Sequence, residues 1–372
     1  MSTALHGLKV LDFSTLLPGP MASLYLADLG AEVVHIESPT RIDLMRVLEP
    51  FANGQATAHS YLNRNKQSVA LDLKDPDNIA LIYEKITDYD IVIEQFRPGV
   101  MQRLGLDYET LAKIHPKLIY CSITGYGQTG PYKDKAGHDL NYVALSGIMG
   151  HSGRQNSAPP ALGIQMADVA GGAFHAVMGI LAAVIERQHS QQGQHIDIAM
   201  TDCVASLNTM AAAATLAGNT KVSPEQGPLN GGSFYDYYRT QDQRYLAIGG
   251  LEPQFMRGLA QILALPMLIE NDQSFDQLDV DVVKPAIQAK IEQKTFAEWQ
   301  QIFAAADVCV EPVLSLEEAF NSQLAQQRGW VVHVPLAAGK TQTEAQLGCP
   351  IQFSRSQKRY DFVGQALGQG KW

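Results

Sequence analysis

Four cysteines in 372 residues, none of them in a CxxC pair, leave little room for disulfide or thiol chemistry. Cys121, Cys203, Cys309 and Cys349 are expected as free thiols of the core. The ten histidines form neither HExxH nor a Cys/His cluster, so no metal site is expected. Basic residues are outnumbered, 28 against 38, giving a net charge of −10 with no long basic run. That excludes general affinity for nucleic acid. It leaves room for a phosphorylated ligand, which a few local Arg and Lys side chains can hold. The longest apolar run, 173–185, contains His175 and is too short for a bilayer, so no membrane partner is expected. The chain passes from Met1 into a strand-like stretch without the basic and apolar regions of a signal peptide, and the expectation is a soluble cytoplasmic protein. A strand-linked GxGxxG and a Walker sequence are both missing, so no flavin, nicotinamide or other cofactor is expected.

What is present is a core: 46% of residues are apolar and the length suggests two or three domains. Strand-like runs at 8–13, 33–36, 68–73, 90–94 and 118–123 alternate with helical patterns at 21–29, 78–86 and 108–114. This rhythm predicts an α/β fold: a large Rossmann-like domain over 1–200, its sheet mainly parallel with helices on both faces. Beyond Met200 the pattern changes to an Ala-rich helix at 201–217 and a Gly/Pro/Asn-rich linker at 218–232. A β-hairpin is expected at 233–240 and 244–249 about Gln241-Asp242-Gln243, then helices at 254–263, 282–293 and 296–305. The resulting domains are a helical linker at 201–220, a smaller α+β domain at 221–325, and a segment at 326–372, with a strand at 330–334, returning to the large domain.

Three motifs place chemistry-bearing side chains at strand-to-helix junctions, where loops on a rigid scaffold carry reactive groups. Gly137-His138-Asp139-Leu140-Asn141-Tyr142 follows the glycine-rich turn Gly125-Tyr126-Gly127-Gln128-Thr129-Gly130. Asp168 precedes Val169-Ala170-Gly171-Gly172, and Glu252 sits in Gly249-Gly250-Leu251-Glu252-Pro253-Gln254-Phe255. Taken singly, His138 reads as a hydrogen-bonded structural histidine, Asp168 as the N-cap of a helix over 169–188, and Glu252 as a first-turn carboxylate favouring the helix dipole. Taken together, a histidine and carboxylates from separate junctions compose a general acid–base site.

With these motifs the chain resembles the class III CoA-transferase superfamily (the CaiB/BaiF type), and within it the α-methylacyl-CoA racemases. The resemblance runs from Gly7-Leu8-Lys9-Val10-Leu11-Asp12 to Pro312-Val313-Leu314 and includes Pro18-Gly19-Pro20, Phe96-Arg97-Pro98-Gly99-Val100 and Gly193-Gln194-His195-Ile196-Asp197. It implies a homodimer whose chains thread through each other like linked rings, acting on an acyl-CoA thioester. It also implies that His138 and Asp168 are the two bases of an α-proton transfer, with Glu252 orienting the histidine and Asp139 able to serve as its partner instead. The backbone N–H of Asp139 is the candidate donor to the enolate oxygen, and Gly171-Gly172 would let the thioester approach the helix start. The CoA moiety would meet Arg41, Lys66, Lys74 and Arg97 at its phosphates and Leu71-Asp72-Leu73-Lys74 at its adenosine end. Gly137, Leu140, Asn141 and Tyr142 would line the pantetheine channel. Methionines 166, 178, 200, 210 and 256 are candidates for an adaptable acyl surface.

Two departures from the racemase pattern bear on this reading. Ser38 stands where the racemases carry a basic residue, Arg41 being the next cation. The stretch Leu162-Gly163-Ile164-Gln165-Met166 is closer to the transferase branch. A CoA-transferase, with Asp168 as nucleophile forming a mixed anhydride, is therefore the alternative; transferases, though, usually carry an aromatic residue at the position of His138. A non-catalytic CoA-binding subunit would lack the acid–base residues that are present here.

Overall fold

The inner strands of the main sheet are buried on both faces, as they must be when helices cover the sheet on each side. All four residues of Ile91–Glu94 and all six of Ile119–Thr124 are buried. In the computed structural model, which describes residues 2–218, 222–270 and 274–372, six strands form this sheet: β1 (Lys9–Asp12), β2 (Glu32–Glu37), β3 (Lys66–Ala70), β4 (Ile91–Glu94), β5 (Ile119–Thr124) and β6 (His195–Ala199). Their spatial order is β3-β2-β1-β4-β5-β6 and every pairing is parallel. The expected parallel α/β sheet is therefore present. Its order reverses between β1 and β4, and in open α/β sheets ligands bind outside the carboxyl ends of the strands at such a switch point.

By its internal packing the chain divides into two compact units. The first comprises the residues up to Ser146, Leu162–Leu207 and Ser322–Trp372; the second, Gly147–Ala161 and Asn208–Asn321. The residue pattern placed boundaries near 200, 220 and 325; it gave no sign that Gly147–Ala161, between two candidate site motifs, belongs with the second unit. The Ala-rich stretch forms two helices, Met200–Ser206 and Thr209–Leu216. The linker expected at 218–232 runs partly over 219–221, which lie outside the described residues.

The second unit contains the expected hairpin, β7 (Asp236–Arg239) and β8 (Tyr245–Ile248), joined antiparallel by β9 (Val310–Pro312). Helices Pro253–Leu263, Val280–Ile291 and Phe296–Ala304 accompany it, and Leu246, Ile248, Leu259, Ile287 and Trp299 form part of its core. In the first unit, β10 (Val331–Pro335) pairs antiparallel with β11 (Thr343–Leu347). The last residues lie along the edge strand β3: Gly370 N donates to Ser68 O at 2.7 Å and Trp372 Nε1 to the Tyr89 hydroxyl at 2.6 Å. Such cover satisfies edge groups that would otherwise pair with another chain. Of the four free thiols only Cys121 and Cys349 are in the core; Cys203 is half-buried and Cys309 exposed.

The helix expected over 169–188 is longer and less regular than its pattern suggests. A π-helix, Ala167–Phe174, leads directly into the α-helix His175–Ser190. Their 24 residues are long and apolar enough, by length and composition, to cross a membrane, where the run 173–185 alone is too short. Only 33% of the most apolar stretch is buried inside the chain, and Met178 and Ile185 are 55% and 60% exposed.

Candidate active site

The loops that leave the carboxyl ends of β1, β4 and β5 carry the glycine- and proline-rich motifs. Gly19 N donates to Gln95 Oε1 at 2.8 Å, tying the β1 loop to the β4 loop across the switch point. After β5 the chain passes Gly125 and Gly137, and both lie against the ring of Tyr142. A Cβ on either glycine would come within 2.5 and 2.6 Å of that ring, so no larger residue fits. Tyr142 is buried, meets Tyr126 edge-on at 5.2 Å, and donates its hydroxyl to Gly137 O at 2.5 Å. It supports the turn beneath His138 from inside.

His138 occupies the N-cap position of the helix Asp139–Leu145, in extended backbone, with its N–H donating to Asn141 Oδ1 at 3.0 Å. Its ring is exposed, as is Leu140, 62% accessible beside it. Asp139 is the first residue of this helix, so its N–H has no intrahelical acceptor. Its carboxylate reaches the next motif: Oδ1 accepts from Ala167 N at 2.5 Å and from Asp168 N at 3.0 Å.

That contact corrects the expectation for Asp168. Its helical segment begins at Ala167, two residues before the expected start, Met166 before it is already helical, and Asp139 supplies the acceptor that Asp168 was expected to provide as N-cap. The Asp168 carboxyl carries no hydrogen bond from the described residues, and it is pushed up to about 6. Burial is the main cause and the Asp139 charge adds to it, while His138 acts in the opposite direction. The Gly171-Gly172 pair also has another role than expected. A Cβ at Gly171 would lie 2.8 Å from Val204, and one at Gly172 2.9 Å from Pro18, so the pair lets the segment pack closely against its neighbours.

The remaining predicted residues are dispersed. Glu252 belongs to the second unit, where it is exposed at the N-cap of Pro253–Leu263 without a side-chain capping bond. Lys66 is not available to a phosphate. It is 1% exposed, lies 3.7 Å from the buried Asp12 carboxylate, and donates to Pro20 O and Asn63 Oδ1. Burial pulls its amine down to about 8 despite that partner. Arg41 and Arg97 are exposed. Ser38 does not replace a cation; its hydroxyl accepts from Thr40 N and Arg41 N and holds their turn. Leu71 and Leu73 rest on the core, Asp72 accepts from Lys74 N at 3.0 Å, and Lys74 is exposed.

Lys74 lines a groove of about 520 Å³ with Leu73, Ile79, Tyr83 and Arg103. Arg103 escaped the sequence reading, although it lies on the short helix Val100–Leu104 that the Phe96–Val100 motif opens. Two cations beside a tyrosine and aliphatic side chains suit a phosphorylated heterocycle. Of the candidate acyl methionines, Met200 and Met256 are in cores and Met178 and Met210 are exposed. Among the described residues no three His, Cys, Asp or Glu side chains come close enough to hold a metal ion.

Comparison with known proteins gives these features a family. The model of CoA-transferase family III matches residues 5–369. The chain is 36% identical over 331 residues to the alpha-methylacyl-CoA racemase of Homo sapiens, covering 88% of this chain and 82% of that one. It is 34% identical over 336 residues to the succinyl-CoA:glutarate CoA-transferase of Mus musculus, covering 89% and 76%. Among solved structures, a CaiB/BaiF family protein from Brucella suis superposes with a TM-score of 0.84 at 28% identity, covering 99% of this chain and 97% of that one. The chain belongs to CoA-transferase family III, whose members are enzymes, racemases or CoA-transferases, acting on acyl-CoA thioesters.

Proposed function

We propose that this member of the family is a racemase that interconverts (2R)- and (2S)-2-methylacyl-CoA thioesters by two-base transfer of the α-proton through an enolate. The α-proton of a thioester is weakly acidic, so the reaction needs a base at each face and a donor to the enolate oxygen. His138 takes the proton from the (2S) epimer and Asp168 from the (2R) epimer, and each returns a proton in the reverse direction. The N–H of Asp139 donates to the enolate oxygen.

The observation that carries this reading is the pairing of an imidazole, His138, with the uncommitted carboxyl of Asp168. That carboxyl is half-buried, free of hydrogen bonds from the described residues, under the influence of His138, and raised to about 6, so it changes between acid and base close to neutral pH. CoA enters as part of the substrate. Its phosphates meet Lys74, Arg41 and Arg97, its adenosine end the groove beside Leu73, and its pantetheine arm the exposed Leu140. A second copy of the chain covers the apolar face of Ala167–Ser190, since a patch of this kind marks an interaction surface.

The alternative reading, CoA transfer between carboxylic acids, draws on the stretch at 162–166 and on the likeness to the glutarate transferase. There an Asp168 oxygen attacks the thioester carbonyl, the CoA thiolate leaves, and a mixed anhydride remains. Incubation of the protein with (2R)-2-methylacyl-CoA in D2O, without an acceptor acid, separates the two. Proton transfer gives α-deuterium and loss of stereochemical purity; Asp168→Ala abolishes both, and His138→Ala abolishes the loss of stereochemical purity. Absence of exchange, together with CoA transfer once a free acid is added, would reject the racemase.

A further inference from the structure

The direction in which Asp168 points depends on a rare piece of backbone. A turn with one extra residue rotates everything N-terminal to it by about 100° around the axis, relative to a continuous α-helix. The wide turns of Ala167–Phe174 therefore allow the apolar face of His175–Ser190 to keep its register while Asp168 is aimed elsewhere. Such turns are seldom stable by themselves, because their carbonyls are poorly matched to the backbone donors above them.

One of these carbonyls has an unusual partner. Ala170 O lies 2.7 Å from Nδ1 of His175, whereas the backbone N–H of His175 donates to Gly172 O. In a regular π-turn the carbonyl of residue 170 would accept from the N–H of residue 175. The imidazole takes that place. A carbonyl can only accept, so Nδ1 carries the proton and the neutral ring is sufficient. The segment is fixed at its start and along its middle as well. Asp139 accepts its first N–H groups, and Gly171 and Gly172 pack against Val204 and Pro18.

We propose that His175 is a positioning residue for Asp168: its Nδ1–H holds the π-helical turn open, and the turn aims the carboxylate at the substrate. The proposal rests on reading Asp168 as the base for the (2R) epimer. His175 acts through the backbone and exchanges no proton with the substrate.

The test uses the full chain and two substitutions. His175→Phe keeps a ring and loses the donor; His175→Asn keeps a donor close to the position of Nδ1. Deuterium uptake is measured separately from (2R)- and (2S)-2-methylacyl-CoA. His175→Phe should lower kcat from the (2R) epimer by about tenfold or more, with KM little changed, because a displaced base forfeits most of its contribution. Exchange from the (2S) epimer, begun by His138, should stay within about twofold, and His175→Asn should restore the (2R) rate. Equal losses on both epimers, no loss, or an Asn variant as impaired as the Phe variant would overturn the proposal. If the Phe variant does not fold, His175→Ala against His175→Asn gives the same comparison. If the native enzyme exchanges neither epimer, the racemase reading falls by itself. Positioning is then read from the rate at which the thioester acylates Asp168, followed by mass: a tenfold drop in His175→Phe supports it and an unchanged rate overturns it.

Discussion

Replacing Asp139 with Asn should shift the acid limb of the reaction while leaving the site's geometry in place. The Asp139 oxygen accepts from Ala167 N and Asp168 N, and an Asn carbonyl oxygen can accept both. What the substitution removes is a negative charge. That charge is the second cause, after burial, of the rise of Asp168 to about 6. Asp139 Oδ1 lies 3.0 Å from Asp168 N, so the two carboxylates are within roughly 7 Å, given ordinary covalent dimensions. At about 6 Å two unit charges repel by about 3 kcal/mol at an effective dielectric of 20, and by less than about 1 kcal/mol in water. At about 1.4 kcal/mol per pH unit this spans roughly half a unit to two units, and a half-buried pair falls near one. A base works only when deprotonated, so kcat/KM for the (2R) epimer rises with pH through the Asp168 transition. In Asp139→Asn that limb should move from about 6 to roughly 5, read from deuterium exchange across a pH series. Asp139→Ala should instead lose rate at every pH, because it leaves two backbone N–H groups without their acceptor. A limb that stays in place in the Asn variant, or moves upward, would refute the electrostatic coupling.

Three further outcomes follow from the same structure. Lys66→Met should strand the buried Asp12 carboxylate and cost about 3–5 kcal/mol in urea unfolding. CoA affinity of the folded variant should stay unchanged by calorimetry, and a large loss would return Lys66 to the ligand site. Lys74→Ala combined with Arg103→Ala should weaken CoA binding by about tenfold, the difference shrinking as salt is raised, if the groove they line takes a phosphate. Met178→Glu with Ile185→Glu puts charge on the exposed apolar face and should convert a dimer to monomer in sedimentation velocity; an unchanged dimer would place the interface elsewhere.

The sheet was legible because its strands are short apolar runs separated by turn chemistry, and burial on both faces leaves few other ways to satisfy such runs. The hairpin about Gln241-Asp242-Gln243 was legible for the same reason. What escaped was long-range. Lys66 stands just before the strand expected at 68–73 and was expected at a phosphate, and only the fold brings Asp12, 54 positions earlier, to within 3.7 Å of it. Arg103 lies a few residues beyond its motif, and only the folded groove sets it beside Lys74. The assignment of Gly147–Ala161 to the second unit likewise depends on contacts with distant residues, such as those Arg154 makes with Glu225 and Asp236.

The largest discrepancy is also the most informative about chemistry. An Asp at the start of a helical pattern reads as a cap, and a capping carboxylate that accepts backbone N–H bonds is held low in pKa and fixed in place. Here Asp139 takes over that work from 28 and 29 positions away, and Asp168 keeps its oxygens uncommitted. An uncommitted, raised carboxyl can serve as proton carrier or as nucleophile, so Asp168 alone does not choose between epimerisation and acyl transfer. The choice lies with the group across from it. An imidazole at position 138 can accept and return a proton, which an aromatic hydrocarbon at that position cannot do, and this is the physical reason that the identity of one residue, His138, weighs more in the functional assignment than overall likeness to either branch of the family.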